Sequence, residues 1–495
     1  MYAQSEKVAR WRAGDYVRTI LTFVISYVIL GGLVLLAVFF NHSASTTDFI
    51  KYFEEGAGLK DFIYLMLALL LIVIVIYLFF FFERKDFIRK PKNVIMVFLI
   101  LIVSIVLSYA IGIAGTIYAR PIVLCALLAL LLIDRTSAIF MNSAVCMIIF
   151  LVDNYTGAPY LSGFENAGFS ALVIGFSAGL FAIYLVSGIN SRLKTLLMGL
   201  IISVPIILSM FILEGMNVNG LPWMVLTGIS AGIFSVAFEM ILLPLYERVF
   251  NKLTSYRLSE ITDHKSKLMR VLIQYAPGTF NHSLVVSNLA EACAGAIGED
   301  SQVARAAAYY HDVGKLSNPQ FYAENQTGYN PHDELTPELS AGIIMQHTME
   351  GAKILKKYHM PQILIDVAVQ HHGTLPIRYF YVKASKMTDG ELDIKNFSYA
   401  GPKPQTKIAA IIMIADGCEA KVRTLKDRSH ESVDRAIQEI IEERMDMEQF
   451  TDCDLTLKDL DIIRVTLVNA LVGVYHDRVS YPKLKVGKRK ETKEV

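Results

Sequence analysis

Eight apolar stretches crowd the first half of the chain, at about 19–40, 62–82, 94–114, 119–133, 137–152, 167–187, 195–213 and 222–246. Most reach the roughly 20 residues that a helix rising 1.5 Å per residue needs to cross a hydrocarbon layer. Such runs have few other fates, because in lipid the backbone must satisfy its own polar groups. The fourth and fifth are short and separated only by "DRTS" (Asp134–Ser137), so they predict two thin spans or one re-entrant hairpin. The predicted count is eight, with seven as the alternative. Residues beyond about 247 have the composition of a soluble domain, so the overall mean hydropathy of +0.43 comes almost wholly from the first half. The first run, Leu21–Phe40, has no small-residue cleavage pattern and reads as a span rather than a removable signal.

Loop charge predicts the orientation. Lys7, Arg10, Arg12 and Arg18 precede the first span; Arg84, Lys85, Arg89, Lys90 and Lys92 follow the second. Arg192 and Lys194, then Arg248, Lys252 and Arg257, mark later connections, whereas 153–166 and 214–221 carry no Lys or Arg. The positive-inside rule then puts both termini and the polar half in the cytoplasm and the 41–61 connection outside. The expected organisation is 1–60 as an N-terminal segment, first span and short outer connection, 61–250 as seven further spans, 251–485 as a cytoplasmic domain, and 486–495 as a basic tail. Gly175/Gly179 and Gly228/Gly232 are spaced for close helix approach. Glu239 is a lone acid in the last span, either a functional group or one that snorkels or bonds a neighbouring helix. No ladder of charges of the kind a transporter needs is present.

Net charge of +1 removes any bulk electrostatic case for a nucleic-acid polymer as partner; the lipid bilayer is the partner that composition predicts. Five cysteines without CxxC spacing argue against a disulfide framework or a cysteine–zinc site, and suit a reducing compartment.

From about residue 255 the pattern turns helical, with amphipathic stretches near 282–298, 302–312, 337–358, 361–371, 405–425, 431–448 and 456–478. An all-α domain of about 230 residues is predicted. Nine of the eleven histidines fall between 264 and 430. His282, His311, Asp312, His347, His371, His372 and Asp416 are the candidate metal ligands. Their gaps of 29, 36, 24 and 44 residues each amount to one helix–loop–helix step, so each group could enter one cavity from a different helix. Imidazole and carboxylate together suit manganese, iron or zinc, and a carboxylate can bridge two ions. Neighbouring residues on a helix point about 100° apart, so His311 and Asp312 share a cavity only if Asp312 aims between two ions while His311 caps one side.

"NHSL", "YYHDVGK", "NPHDEL", "MQHT", "QHHGT" and "MIADGCEA" resemble the HD-domain phosphohydrolase pattern. More narrowly, the chain from about residue 60 to 484 resembles the bacterial seven-transmembrane–HD proteins, membrane-bound phosphodiesterases of cyclic di-AMP. The resemblance implies an all-α chain, a polytopic bundle of about eight spans followed by a cytoplasmic HD phosphohydrolase domain, in the bacterial cell membrane. It implies two divalent cations, Mn2+ or Fe2+. One would take His282, His311, Asp312 and Asp416, the other His347, His371 and His372, with Asp312 bridging. His311, Asp312 and Lys315 would be catalytic, and Lys315 would contact phosphate. His332 or Asp333 would assist the leaving oxygen or hold its loop, with His332 a substrate contact. The implied reaction opens cyclic di-AMP to pApA, and a homodimer is compatible with it. Cyclic di-GMP, another nucleotide, or a non-catalytic receptor with a decayed site are the alternatives; retention of all seven ligand positions counts against the last. "FYAENQTGYNPHDEL" (Phe321–Leu335) and "RYFYVK" (Arg378–Lys383) flank the expected cavity and could stack adenine or fill core. One departure stands out: where the family usually carries a large extracytoplasmic domain, this chain has Asn41–Lys60.

Overall fold

A computed structural model describes residues 11–42, 50–51, 57–156, 166–215, 221–387 and 391–474. Lys7, Arg10, most of the 41–60 connection and the basic tail lie outside the described residues. The chain forms two compact units, Ala3–Met269 and Arg270–Val495. Both are helical; among the described residues, extended pairing is limited to an isolated bridge between Pro376 and Ser398.

In the first unit the apolar runs become α1 (Ala13–His42), α2 (Ala57–Glu83), α3 (Pro91–Ala114), α4 (Leu124–Leu132), α5 (Arg135–Thr156), α6 (Ser170–Val186), α7 (Arg192–Glu214) and α8 (Leu221–Phe250). Among the described residues, seven helices are long and apolar enough to cross a membrane. The chain is therefore a multi-pass membrane protein. The fourth run is the exception to the expected eight. Gly115 ends α3, and Pro121 interrupts the apolar stretch before α4 begins, so α4 has only nine residues. Asp134, at the start of α5, pairs with Arg84, while Asp153, near the other end of α5, pairs with Arg120. The Arg120 side chain is thus held towards the far end of α5 from Asp134.

Small residues set the helix contacts. A Cβ on Gly232 would lie 2.4 Å from the Gly199 carbonyl oxygen, and one on Gly228 would lie 2.4 Å from Ile207. A Cβ on Gly175 would meet Cys146, and one on Gly179 would meet Asn142. Both small-residue pairs therefore sit where helices touch, and Asn142 adds a bond to the Gly175 carbonyl at 2.9 Å. Arg120 is buried among Asp153, Ser170 and the Ile117 carbonyl, and Tyr109 completes the Asp153 carboxylate at 2.8 Å. Stranding either charge alone in such an interior costs roughly 3–5 kcal/mol. Glu239 is fully buried with neither carboxylate oxygen hydrogen-bonded, so it does not snorkel.

After α9 (Ser255–Thr262) and α10 (Lys267–Tyr275) come α11 (Pro277–Ala296), α12 (Ser301–Tyr310), α13 (Pro337–Lys357), α14 (Gln362–Gln370), α15 (Arg378–Ser385), α16 (Lys407–Thr424), α17 (His430–Asp446) and α18 (Leu457–Val474). Side-chain oxygens start several of them: Asp300 accepts from Gln302 and Val303, Thr336 from Leu339, Thr406 from Ala409. Each such cap contributes about 1 kcal/mol. In the second unit α11 packs against α12, α16 and α18 around Leu289, Cys293, Val303, Ile411, Ile463 and Leu467. The five cysteines are free thiols.

Candidate metal centre

Five chain segments deliver the seven candidate ligands. His282 lies on α11, His347 on α13 and Asp416 on α16. The two adjacent pairs sit elsewhere than expected: His311 and Asp312 follow the last residue of α12, and His371 and His372 follow the last residue of α14. There the backbone leaves the helix, which frees both members of each pair to face one point. Helix C-termini also carry partial negative charge, which favours a cation.

Asp312 joins two groups. Its Oδ2 lies 3.3 Å from His311 Nε2 and 3.8 Å from His282 Nε2. Its Oδ1 lies 3.3 Å from His347 Nε2 and 3.6 Å from His371 Nε2. Asp416 closes the first group, with Oδ1 at 2.9 Å from His282 Nε2 and 3.9 Å from His311 Nε2; its Oδ2 is 3.9 Å from His372 Nδ1. Candidate ligand atoms therefore gather as His282, His311 and Asp416 on one side, and Asp312, His347, His371 and His372 on the other, each group within 4.8 Å.

The ring orientations follow from the backbone. His311 Nδ1 meets the Ala308 carbonyl at 2.7 Å, His347 Nδ1 the Ile344 carbonyl at 2.6 Å, and His371 Nδ1 the Ala368 carbonyl at 3.0 Å. A carbonyl only accepts, so each Nδ1 bears the hydrogen and each Nε2 of the neutral ring is a lone pair facing inward. His347 Nε2 and His371 Nε2 then stand 3.2 Å apart, lone pair to lone pair. His311 Nε2 and Asp312 Oδ1 are buried without a hydrogen-bond partner. Orphaned acceptors and opposed lone pairs are costly in a buried site, and a divalent cation relieves both. The residues fit a metal.

Electrostatics agree. Burial works to raise the Asp312 carboxyl, yet the Lys315 charge 2.7 Å away holds it well below the usual range. Burial pulls the His347 ring down to about 3, so it is neutral and ready to ligate at neutral pH. His282 is the reverse case. Burial disfavours its charge, but hydrogen bonds to Asp416 and Glu419 push it up to about 10. A cation reaching His282 Nε2 must displace that proton. Divalent-ion affinity should therefore climb about tenfold per pH unit from neutrality towards pH 9, with about one proton released. Calorimetric titration of the full chain with Mn2+ in buffers of different ionisation enthalpy checks this; a pH-independent affinity would contradict it.

Lys315 is partly buried, with Nζ at 2.7 Å from Asp312 Oδ2 and 2.9 Å from Glu324 Oε1. Burial would lower its ammonium, but the two carboxylates hold it above its ordinary value. His332 stands apart from both ligand groups. Its Nε2 meets the Phe321 carbonyl at 2.9 Å and its ring lies between Phe321 and Phe380. Asp333 bonds Asn330 at 3.2 Å. Of the "RYFYVK" aromatics, Phe380 packs in a small cluster with Ala341, Ala384 and Phe397, while Tyr379 is exposed. Three residues of the site were not singled out in the sequence. Glu419 lies 2.7 Å from His282 Nδ1, Glu324 grips Lys315, and Tyr399 stacks on His372 with ring centroids 4.4 Å apart. For Glu419 the signal was a second acid one helical turn beyond Asp416.

Residues 61–254 match the family model described as 7TM receptor with intracellular HD hydrolase, and residues 279–421 match that of the HD domain. The cyclic-di-AMP phosphodiesterase PgpH of Bacillus subtilis (strain 168) is 40% identical over 314 residues, covering 60% of this chain and 44% of that protein. Its namesake from Listeria monocytogenes serotype 1/2a (strain 10403S) is 44% identical over 272 residues, 55% of this chain and 37% of that protein. The matched part thus spans less than half the length of these curated relatives. Among solved structures, the L. monocytogenes PgpH HD domain in complex with cyclic-di-AMP is 48% identical, covering 43% of this chain and 99% of that one, with a TM-score of 0.41.

Proposed function

We propose, from the premise that residues 61–254 form the membrane region of the 7TM receptors with intracellular HD hydrolase and residues 279–421 an HD domain, that this chain is a membrane-anchored, metal-dependent phosphodiesterase opening cyclic di-AMP to pApA. The observation that carries the reading is the Asp312 carboxylate, with one oxygen towards each group of imidazoles. The choice of cyclic di-AMP over cyclic di-GMP rests on the relatives that bear that name.

His282, His311 and Asp416 would hold one ion and His347, His371 and His372 the other, with Asp312 shared. Two such cations, of manganese or iron, would supply an activated water and charge stabilisation at phosphorus. The chain's own residues do the rest. Backbone carbonyls at 308, 344 and 368 hold three imidazoles in the ligating tautomer. Lys315 keeps a full positive charge beside Asp312, where it can meet the oxygen on which negative charge develops. His332, wedged between two phenylalanines and bound to a carbonyl, serves to hold its loop rather than to deliver a proton.

We place the HD domain in the cytoplasm. Arg84 and Arg135 meet Asp134 and Ser187 at one end of the bundle, and Arg192 meets Glu247 near the end of α8. That basic end is the inner one by the positive-inside rule.

The test uses the full chain in detergent with Mn2+, offered cyclic di-AMP, cyclic di-GMP and pApA, with products separated by chromatography. Cyclic di-AMP should be converted to pApA at least about tenfold faster than cyclic di-GMP is consumed, a difference of about 1.4 kcal/mol in barrier. A chelator should abolish turnover and Mn2+ should restore it. Turnover of cyclic di-GMP alone would overturn the substrate assignment.

A further inference from the structure

The two halves of the centre are not equivalent. His311, His347 and His371 each rest Nδ1 on a neutral backbone carbonyl. His282 alone among these four rests Nδ1 on a carboxylate, Glu419 Oε2, at 2.7 Å. Glu419 is itself buried, 2% exposed, and held on the same helix as Asp416 one turn away. A carboxylate behind an imidazole fixes the ring and makes its far nitrogen a more basic donor. The half around His282 therefore combines Asp416, Glu419 and the Oδ2 face of Asp312. The other half has, besides the shared Asp312, three imidazoles, and His372 leans on the Tyr399 ring.

We infer that Glu419 is a positioning residue for His282 and makes the His282–His311–Asp416 half the tighter of the two ion sites, so that it fills first. The inference rests on the two-ion reading above. Glu419 touches neither substrate nor ion in this role; it acts through the His282 ring. Glu419 also lies 3.6 Å from Arg423, a half-exposed partner in solvent contact, so part of its charge is balanced at the surface without losing the bond to His282.

The test is a titration of the metal-free full chain in detergent with Mn2+ under argon at about pH 9, where proton competition at the ligands is smallest, following free Mn2+ by electron paramagnetic resonance. The wild type should bind in two steps separated by at least about tenfold. Glu419→Ala should weaken the tighter step by roughly 10–100-fold, the range for loss of a partner behind a metal-binding histidine, and leave the weaker step in place. Glu419→Gln still accepts the Nδ1 hydrogen and should recover part of that loss. Arg423→Ala should leave both steps within about twofold, as expected of an exposed ion pair. The inference is overturned if the tighter step is unmoved in both Glu419 variants, or if both steps fall together by the same factor, the mark of a loosened fold. A wild type that takes one ion sinks the two-ion reading, and the effect of Glu419→Ala on that ion still decides the role of Glu419.

Discussion

Replacing Asp312 with alanine in the full chain should lower cyclic di-AMP hydrolysis by at least about 10³-fold, the equivalent of about 4 kcal/mol in barrier. Among the described residues Asp312 is the carboxylate that meets two imidazoles of each group, with Oδ2 facing His282 and His311 and Oδ1 facing His347 and His371, whereas Asp416 reaches the second group only at His372, 3.9 Å away. Removing Asp312 leaves those four rings around a gap. Two cations close together repel, and a carboxylate between them is what makes joint occupancy favourable. The variant should therefore lose ions as well as rate, and metal analysis after dialysis should show fewer than two per chain. The fold should persist, because Lys315 keeps Glu324 at 2.9 Å as its counter-charge. Asp312→Asn, which preserves shape and removes charge, should fall nearly as far. Either variant retaining a tenth of wild-type turnover would remove Asp312 from the centre of the mechanism.

Gly314→Ala should be the most damaging substitution that replaces no candidate ligand. A Cβ on Gly314 would lie 1.8 Å from the His347 carbonyl oxygen and 2.5 Å from the Gly351 nitrogen. Both are backbone atoms of α13 and cannot swing aside as a side chain could. The 3-10 segment Val313–Ser317 and α13 must therefore separate, and His347 rides on α13. Overpacking of this kind costs roughly 3 kcal/mol, which for a unit of this size is a fall of roughly 6–12 °C in unfolding midpoint. Activity should drop with it, since His347 is carried away from Asp312. Differential scanning calorimetry with a hydrolysis assay checks both; an unchanged midpoint would mean that the close approach is not present in solution.

The candidate ligands could be read from the sequence because each is a residue type with few structural uses, repeated at helix–loop–helix intervals. Glu419 could not, because a group that acts by steadying another ligand leaves no pattern beyond an acid one turn from Asp416. The Lys315–Glu324 pairing spans a run of short 3-10 turns with no periodicity to read. The adjacency of His311 and Asp312 was misleading in one respect. It suggested two residues on one helix, whereas α12 stops at Tyr310 and the pair occupies the unwinding turn. In the membrane region, hydropathy located all eight apolar runs and marked the fourth as short, but it also made the fifth short, where α5 runs over Arg135–Thr156. Hydropathy reports only that a residue avoids water, and Pro121 sets where α4 can begin. The two glycine pairs were legible as spacing, yet which helices they bring together became clear only from their neighbours.

The spread of the candidate ligands over residues 282 to 416 has a thermodynamic corollary. Ions that bind only when five distant stretches are assembled add their binding free energy to the folding of the domain by mass action. Scarcity of the metal in a cell would then do more than idle a catalyst. It would thin the population of intact protein and open it to proteases, so that supply of the ion would govern abundance as well as rate.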